Sequence, residues 1–236
     1  MHLQTSLEKS TWGRQLSAVE MQRVLVDCRE RRVATRDSIV RVGEPAEFWI
    51  GIISGFGKMS VSTAEGRETT LISVGAGGWF GEGTLIKRGR WQYDAIALRD
   101  CHLMLIPRDT FERLRMSSIP FNHYLQQLMS ARMGGFIAQL SQDRLLDSTA
   151  RVAQCLAGLF NPELYPDPGC FVDLRQSELG QLAGVSRQRA NIALQVLEQA
   201  GLILAERRGI TVLQLQGLRD YIGSTAAPVS SEHRPQ

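Results

Sequence analysis

The sequence predicts an α+β protein in which a small β-roll is followed by a long helix and then by a compact helical domain ending in a β-hairpin. Short β-prone segments separated by glycine turns fill residues 33–107, and apolar residues recur at helical spacing over residues 109–140. Residues 176–198 form two short amphipathic stretches around Gly184. The 236 residues exceed the size of a typical single domain, about 100–200 residues, so we expect at least two domains.

Composition narrows the class of protein without identifying it. Hydrophobic residues make up 43% and charged residues 22% of the chain, as in ordinary globular proteins, and the net charge of +3 permits a nucleic-acid partner without requiring one. No apolar run approaches the roughly 20 residues that span a bilayer, and the first 14 residues lack the apolar core of a signal peptide. We therefore expect a cytoplasmic protein with no membrane partner.

The β-prone segments lie in a domain that we place at residues 15–108. They cover residues 38–42, 48–54, 57–63, 68–74 and 93–98. Gly55 and Gly66 fall between them and Gly57 begins the third, where a turn can require the positive φ that glycine adopts without strain. Several short strands with regular turn signals are typical of a small all-β barrel or roll.

A single long helix is predicted for residues 109–145. Its apolar stripe consists of Phe121, Leu125, Leu128, Met133, Phe136 and Leu140. The stripe suits a helix that pairs with a second copy of the chain, and Gly134 with Gly135 would allow close approach. It equally suits a helix packed on its own barrel, because both arrangements need one apolar face. The spacing does not choose between them.

A third region, residues 146–222, begins with a helix over residues 151–160 that Asn161 and Pro162 stop. Within it, residues 176–198 predict a helix-turn-helix about Gly184. Ser186 can cap the second helix, which the turn presents outward. The two helices would share an apolar face of Leu179, Leu182, Val185, Ala190, Leu194 and Leu197. The Ser-, Ala- and Pro-rich tail, residues 223–236, is expected to be disordered.

The outward face of the second helix carries side chains that recognise base edges. Arg187 can donate two hydrogen bonds to guanine, and Gln188 and Asn191 can pair with adenine in the major groove. Gln195 continues this face, while Arg189 is better placed to contact a phosphate. The sequence therefore predicts double-stranded DNA as the partner of this region.

A β-hairpin predicted for residues 202–215 follows the second helix, which Gly201 ends. Its turn holds Arg207 and Arg208, whose charges could contact the phosphate backbone. Helix-turn-helix patterns also occur in helical bundles, and a two-arginine turn is often only a solvated loop. The joint order of these signals favours a winged helix-turn-helix that binds DNA.

On these residues the chain resembles the CRP/FNR family of transcription regulators over residues 21–215. Ser54 and Gly55, then Gly66 to Glu68, then Gly81 and Glu82 resemble the family's cyclic-nucleotide-binding jelly roll. Arg151 to Ala153 resembles the start of its DNA-binding domain, and Glu178 to Gln188 resembles its helix-turn-helix. The resemblance implies a β-roll sensor domain, a long dimerisation helix and a C-terminal winged helix-turn-helix. It also implies a homodimer on a near-palindromic operator and recruitment or blocking of RNA polymerase.

The resemblance is incomplete at the DNA-binding helix and at the cyclic-nucleotide site. Ile192 stands where many relatives have a second base-contacting arginine, which leaves the operator sequence open. In cyclic-AMP-binding relatives, the Glu at the position of Glu82 holds the ribose hydroxyl, and a later Arg-Ser pair neutralises the phosphate. This chain has Gln92 and Tyr93 there, and an amide lacks the charge that makes arginine suited to phosphate. We therefore do not expect a classical cyclic AMP switch.

Two interpretations of residues 87–93 follow. Lys87, Arg88 and Arg90 could rebuild a phosphate site for a cyclic nucleotide or cyclic dinucleotide, with Trp91 or Tyr93 stacking on a base. Alternatively these residues form a charged, solvated hairpin, which is the commoner role of such clusters and the one we favour. The candidate ligand-binding residues are Gly81, Glu82, Arg88, Arg90, Gln92 and Tyr93.

Other sensor chemistry has little support in the sequence. The four cysteines are scattered without a paired spacing, and only Cys28 precedes residue 100, so we expect no zinc site, disulfide framework or iron–sulfur cluster. The four histidines are isolated, so we expect no haem or other metal, while thiol oxidation stays open. No catalytic motif is present, and we expect no enzyme. The alternative to a ligand-responsive regulator is a constitutive DNA-binding protein whose barrel is a ligand-free scaffold.

Overall fold

The computed structural model describes residues 3–166 and 169–223, so most of the tail expected to be disordered lies outside the described residues. The chain forms two compact units, one of residues 1–137 and 159–169 and the other of residues 138–158 and 170–236. Among the described residues, no helix is both long enough and apolar enough to cross a membrane.

The first unit begins with helices that the sequence analysis did not predict. These are α1 (Leu3–Lys9), a 3-10 turn (Gly13–Gln15) and α2 (Ala18–Asp27). Ser17 caps α2, because its Oγ accepts from the backbone N–H of Glu20 while its own N–H donates to the Glu20 carboxylate. Leu7 and Trp12 are fully buried. The core of this unit therefore includes residues ahead of residue 15, where we placed the start of the β-roll domain.

Eight strands and one short helix build the predicted β-roll. The elements are β1 (Arg29–Val33), β2 (Ser38–Val40), β3 (Phe48–Ser54), β4 (Phe56–Ser62), β5 (Glu68–Gly75), β6 (Trp79–Phe80), α3 (Glu82–Ile86), β7 (Asp94–Ala97) and β8 (Cys101–Pro107). They form two antiparallel four-stranded sheets, ordered β1-β8-β3-β6 and β2-β7-β4-β5. All five predicted β-prone segments are strands, and β1, β6, β8 and α3 are additions.

An aromatic cluster fills the core of the first unit. The ring of Trp49 lies 4.3 Å from Trp79 and 5.2 Å from Trp12, and Phe111 lies 5.7 Å from Phe121, measured between ring centroids. Most of these pairs are tilted or edge-on, as the quadrupoles of aromatic rings favour. The cluster joins the N-terminal turn, the strands and the following helices in one core.

The single helix predicted from residue 109 is wrong, because the structure has two helices. They are α4 (Arg108–Ser117) and α5 (Ile119–Leu145), separated by Ser118 in an extended conformation. Pro120 explains the break, since proline lacks an N–H and is tolerated only in the first turn of a helix. The two helices together cover the residues that we assigned to one.

The apolar stripe of α5 divides into two stretches. Phe121, Leu125 and Leu128 are buried in the first unit, as expected for a helix packed on its own barrel. The later apolar side chains are 41–63% exposed in the single chain: Met129, Met133, Phe136, Ile137 and Leu140. Packing on the barrel therefore accounts for only the first stretch.

The second unit has a helical core and a small sheet. Its elements are α6 (Ser148–Gly158), β9 (Phe171–Val172), α7 (Gln176–Leu182), α8 (Arg187–Gln199), β10 (Ile203–Ala205), β11 (Ile210–Val212) and α9 (Leu215–Arg219). The antiparallel strands are ordered β10-β11-β9. Gln154 on α6 ties down the C-terminal end by donating to the backbone oxygens of Arg219 and Tyr221, at 2.8 and 3.0 Å.

Candidate functional site

Helices α7 and α8 form the predicted helix-turn-helix. The backbone N–H of Arg175 donates to the carboxylate of Glu178 at the start of α7, at 2.8 Å. Ser186 caps α8, because its Oγ accepts from the N–H of Arg189 at 3.3 Å. These contacts satisfy N–H groups that have no partner inside a helix, and so they fix where each helix begins.

The turn between the helices is tight and depends on glycine. Gly184 has a φ of +63°, in the left-handed region that favours glycine. A side chain on Gly180 would begin 3.1 Å from the carbonyl oxygen of Val185 and 3.3 Å from Cβ of Ala190. Small residues at both positions therefore let the start of α8 pack directly against α7.

The shared apolar face is buried largely as the sequence predicts. Leu179, Ala190, Leu194 and Leu197 are at most 1% exposed, Leu182 is buried, and Val185 is half-buried. Ala193 adds to this face. A fully buried face on one side of α8 determines which side chains point away from the core.

The candidate base-contacting side chains lie on the exposed side of α8. Arg187, Gln188, Arg189 and Asn191 are all exposed, as are Ser186 ahead of the helix and Gln195 further along it. Arg187 is the first residue of α8, so the polar row starts at the N-terminal end of the helix. The N-terminal residues of a recognition helix are those that enter the major groove.

The predicted hairpin is present as β10 and β11, which pair from Ile203 with Val212 to Ala205 with Ile210. Arg207 and Arg208 lie exposed in its turn. The turn is closed by the N–H of Glu206, which donates to the oxygen of Gly209 at 2.9 Å. The wing therefore presents its two arginines on an ordered turn.

A cleft of about 330 Å³ lies between the start of α7, the start of α8 and the wing. Three arginines line it, one from each element: Arg175, Arg187 and Arg207. Arg175 was not among the residues predicted for the site. Its position, directly before the first helix of the pair, is the sequence signal that could have identified it.

The second candidate site surrounds Glu82 in the first unit. Gly81 has a φ of +99°, and a side chain there would begin 2.5 Å from the ring of Trp91. Glu82 is 3% exposed, and its Oε1 accepts a charge-assisted hydrogen bond from Nη1 of Arg132 on α5. Arg132 also donates to the backbone oxygen of Trp79 at 2.8 Å. Sequence reasoning missed Arg132, which lies 50 residues from its partner.

The other oxygen of Glu82, Oε2, is buried without a hydrogen-bond partner among the described residues. Burial raises the pKa of the phenols of Tyr93 and Tyr124, and the nearby negative charge of Glu82 raises them further. The ring of Tyr93 lies 5.6 Å from that of Trp91. The surroundings of Glu82 therefore combine one arginine with aromatic rings.

The remaining candidate ligand-binding residues lie on the surface of the first unit. Arg88, Arg90 and Gln92 are exposed, and so is Lys87. Arg90 donates to the backbone oxygen of Gly43 at 2.8 Å, and the amide of Gln92 donates to the oxygen of Arg90 at 3.0 Å. This placement fits a solvated hairpin better than a rebuilt phosphate site.

The described residues contain no group of three or more His, Cys, Asp or Glu side chains that could hold a metal ion. Burial raises the pKa of the thiols of Cys28 and Cys101, and that of Cys155 to about 12. Oxidation proceeds through the thiolate, so these three thiols are poorly suited to redox sensing. Cys170 is exposed.

Two family models match the chain, one in each region. Residues 30–118 match the cyclic nucleotide-binding domain, and residues 150–221 match the Crp-like helix-turn-helix domain. The chain is also 28% identical over 191 residues to the cAMP-activated global transcriptional regulator CRP of Pasteurella multocida, which covers 80% of this chain and 91% of that protein.

Solved structures share the fold. The c-di-GMP-responsive global regulator CLP of Xanthomonas campestris is 27% identical, with a TM-score of 0.62 over 83% of this chain and 99% of that one. FixK2 of Bradyrhizobium japonicum gives a TM-score of 0.69 at 18% identity, over 85% of this chain and 99% of that one, and supports the fold alone.

Proposed function

This chain belongs to the CRP/FNR family of transcription regulators, and we propose that it binds a specific DNA operator through α8 and tunes that binding through its barrel. The observation that carries the proposal is the exposed polar row of α8 beside a cleft lined by Arg175, Arg187 and Arg207. Base edges and phosphates are both within the reach of such an arrangement.

Within this site the contacts divide by chemistry. Arg187, Gln188 and Asn191 enter the major groove and contact base edges, because their side chains match the donor and acceptor patterns of guanine and adenine. Arg189 and the hydroxyl of Ser186 contact the phosphate backbone. Arg207 and Arg208 contact phosphates from the wing, and these contacts supply affinity without sequence preference.

A second copy of the chain completes the operator-binding form. The exposed stripe of α5 from Met129 to Leu140 repeats at helical spacing and supports self-association of two such helices. A homodimer with two-fold symmetry binds two half-sites, so the operator is a near-palindrome. On it, the dimer recruits or blocks RNA polymerase in the cytoplasm and performs no catalysis itself.

The barrel binds an effector other than cyclic AMP. The unpartnered, buried Oε2 of Glu82 supports a ligand that carries a hydroxyl, since a lone carboxylate oxygen in the interior lacks its normal hydrogen bonds. The exposed positions of Arg88, Arg90 and Gln92 argue against a phosphate site built from them. A cyclic nucleotide or a cyclic dinucleotide held in another way is the effector class to test.

A ligand-free scaffold is the second candidate for the barrel. Arg132 already occupies one oxygen of Glu82, and the rings of Trp91 and Tyr93 lie against each other in the same region. If the barrel binds no ligand, the chain is a constitutive DNA-binding regulator.

Calorimetric titration with cyclic AMP, cyclic GMP and cyclic di-GMP tests whether the barrel binds an effector of this class. Saturable binding of cyclic GMP or cyclic di-GMP that alters operator affinity supports an effector of this class, and no binding of any of the three favours either another effector or the ligand-free scaffold. Tight binding of cyclic AMP would contradict our inference that Gln92, in place of an arginine, prevents recognition of its phosphate.

The DNA site is tested by selecting bound duplexes from a random library. We expect an enriched near-palindromic sequence whose half-sites lie about 10 base pairs apart, or a multiple of that spacing. Recovery of unrelated sequences without a consensus would contradict the proposal.

A further inference from the structure

Ile192 lies in the outermost row of α8. The buried face of this helix consists of Ala190, Ala193, Leu194 and Leu197. At 100° per residue, Gln188, Ile192 and Gln195 fall together on the opposite side, because they are spaced by four and three positions. The centre of the exposed row is therefore apolar, with a glutamine one turn before it and another after it.

The Ile192 side chain is 50% exposed, and it is a poor choice for a solvated helix surface. A β-branched residue loses rotamer freedom in a helix and has a lower helix propensity than most polar residues. An isoleucine side chain can make only apolar contacts. In the described part of the chain, about half of the Ile192 surface makes none. The side chain thus has apolar surface available for a partner at the position that faces DNA.

The major groove offers one apolar group on its base edges, the C5-methyl group of thymine. We propose that Ile192 is a specificity-determining residue that packs on a thymine methyl in each half-site. This inference rests on the proposed function, because it assumes that α8 lies in the major groove.

The position of this thymine follows from the helix geometry. Ile192 lies one turn after Gln188, which is a displacement of about 6 Å along the helix axis. Base pairs are stacked at about 3.4 Å, so the thymine lies within two base pairs of the base that Gln188 contacts. Since glutamine pairs with adenine, the half-site carries neighbouring adenine and thymine contacts.

Deoxyuridine provides the direct probe, because it keeps every hydrogen bond of thymine and lacks only the methyl group. The operator is first selected from random duplexes with the wild-type protein, and each thymine of one half-site is then replaced in turn. Burial of one methyl group is worth about 0.8 kcal/mol, so we expect about a fourfold loss of affinity at one position. Replacements elsewhere should have little effect.

The protein variant completes a double-mutant cycle. I192A should bind the thymine operator about 15-fold or more weakly, because both protomers of the dimer lose the contact, and it should bind the thymine and deoxyuridine operators alike. V196A is the matched control, since Val196 is a partly exposed β-branched residue one turn further along α8. It should keep the full sensitivity to the deoxyuridine replacement. Circular dichroism establishes that both variants fold.

The outcomes distinguish the inference from the proposed function. If no operator can be selected, the proposed function fails. If an operator is selected but no single deoxyuridine weakens binding, or if I192A keeps the same sensitivity as the wild type, the inference about Ile192 is wrong and the DNA site stands.

Discussion

Arg151 on α6 donates a hydrogen bond from Nη2 to the carbonyl oxygen of Gly184, at 3.0 Å, and the same nitrogen lies 2.6 Å from Oδ1 of Asp143. One side chain therefore holds the turn of the helix-turn-helix against the rest of the second unit. A Cβ on Gly184 would lie 2.5 Å from this nitrogen, so the contact also requires the glycine.

Replacing Arg151 should loosen the turn and weaken DNA binding. Arg151→Ala removes a charged donor, and hydrogen bonds to charged groups contribute about 1.5–3 kcal/mol to stability. Amide hydrogen exchange in α7 and α8 should speed up by a corresponding factor, and operator affinity should fall. Arg144→Ala is the control, because Arg144 is exposed in the same unit. Unchanged exchange in α7 and α8 would show that the contact does not hold the turn.

Base contacts and phosphate contacts should respond differently to mutation. Arg187→Ala should cost about 1–3 kcal/mol per half-site against the selected operator and little against random DNA, because it removes a contact that depends on sequence. Replacing both Arg207 and Arg208 with alanine should weaken both duplexes equally. It should also reduce the slope of log affinity against log salt concentration by about 4, since the dimer loses four phosphate contacts and each contributes about 0.9. Equal loss on both duplexes for Arg187→Ala would place this residue on the backbone instead.

The buried ion pair of Glu82 and Arg132 should be costly to break from one side. Arg132→Met leaves a buried carboxylate unpaired, and the expected loss of stability is about 3–5 kcal/mol. Replacing both residues with apolar ones of similar size should be less damaging than the single change. All four tryptophans lie in the first unit, so their fluorescence follows its unfolding in urea. The exposed Arg67 serves as a control in Arg67→Met. A double variant less stable than Arg132→Met would contradict this interpretation.

The first unit should lose stability in acid, because the stabilising contribution of the Asp27 carboxylate disappears on protonation. A hydrogen bond from Thr110 at 2.6 Å and another from Arg113 at 2.9 Å hold the pKa of this carboxyl below its ordinary value. A lowered pKa adds stability above the unfolded value of about 3.9, and this contribution disappears as the pH falls through the folded pKa. Asp27→Asn should therefore cost about 1 kcal/mol near neutral pH and progressively less below about pH 4. A stability difference that does not change with pH would exclude this role for the charge.

The sequence predicted the helix-turn-helix closely because each of its signals is local. Gly184, Ser186 and the apolar spacing from Leu179 to Leu197 specify two helices and a turn within about 20 residues, and the structure has them there. The wing likewise follows from one turn between two short apolar stretches. Local patterns of this kind need no knowledge of distant contacts.

Features that depend on distant parts of the chain were missed. Strand β8 is buried on both faces, so its run of apolar residues lacks the alternation that marks an ordinary strand. Strand β1 is mostly charged and exposed, and it is a strand because it pairs with β8. The pair of Glu82 and Arg132 joins residues far apart in sequence. The break before α5 was a local signal, Pro120, that the apolar periodicity obscured.

The central claim is that α8 recognises a specific DNA sequence. It is tested most directly by measuring the dissociation constants of the wild-type protein for its selected operator and for a scrambled duplex of the same length, at physiological salt. We expect the operator to bind at least about 1,000-fold more tightly, as specific regulators do. Equal affinity for the two duplexes would contradict the claim.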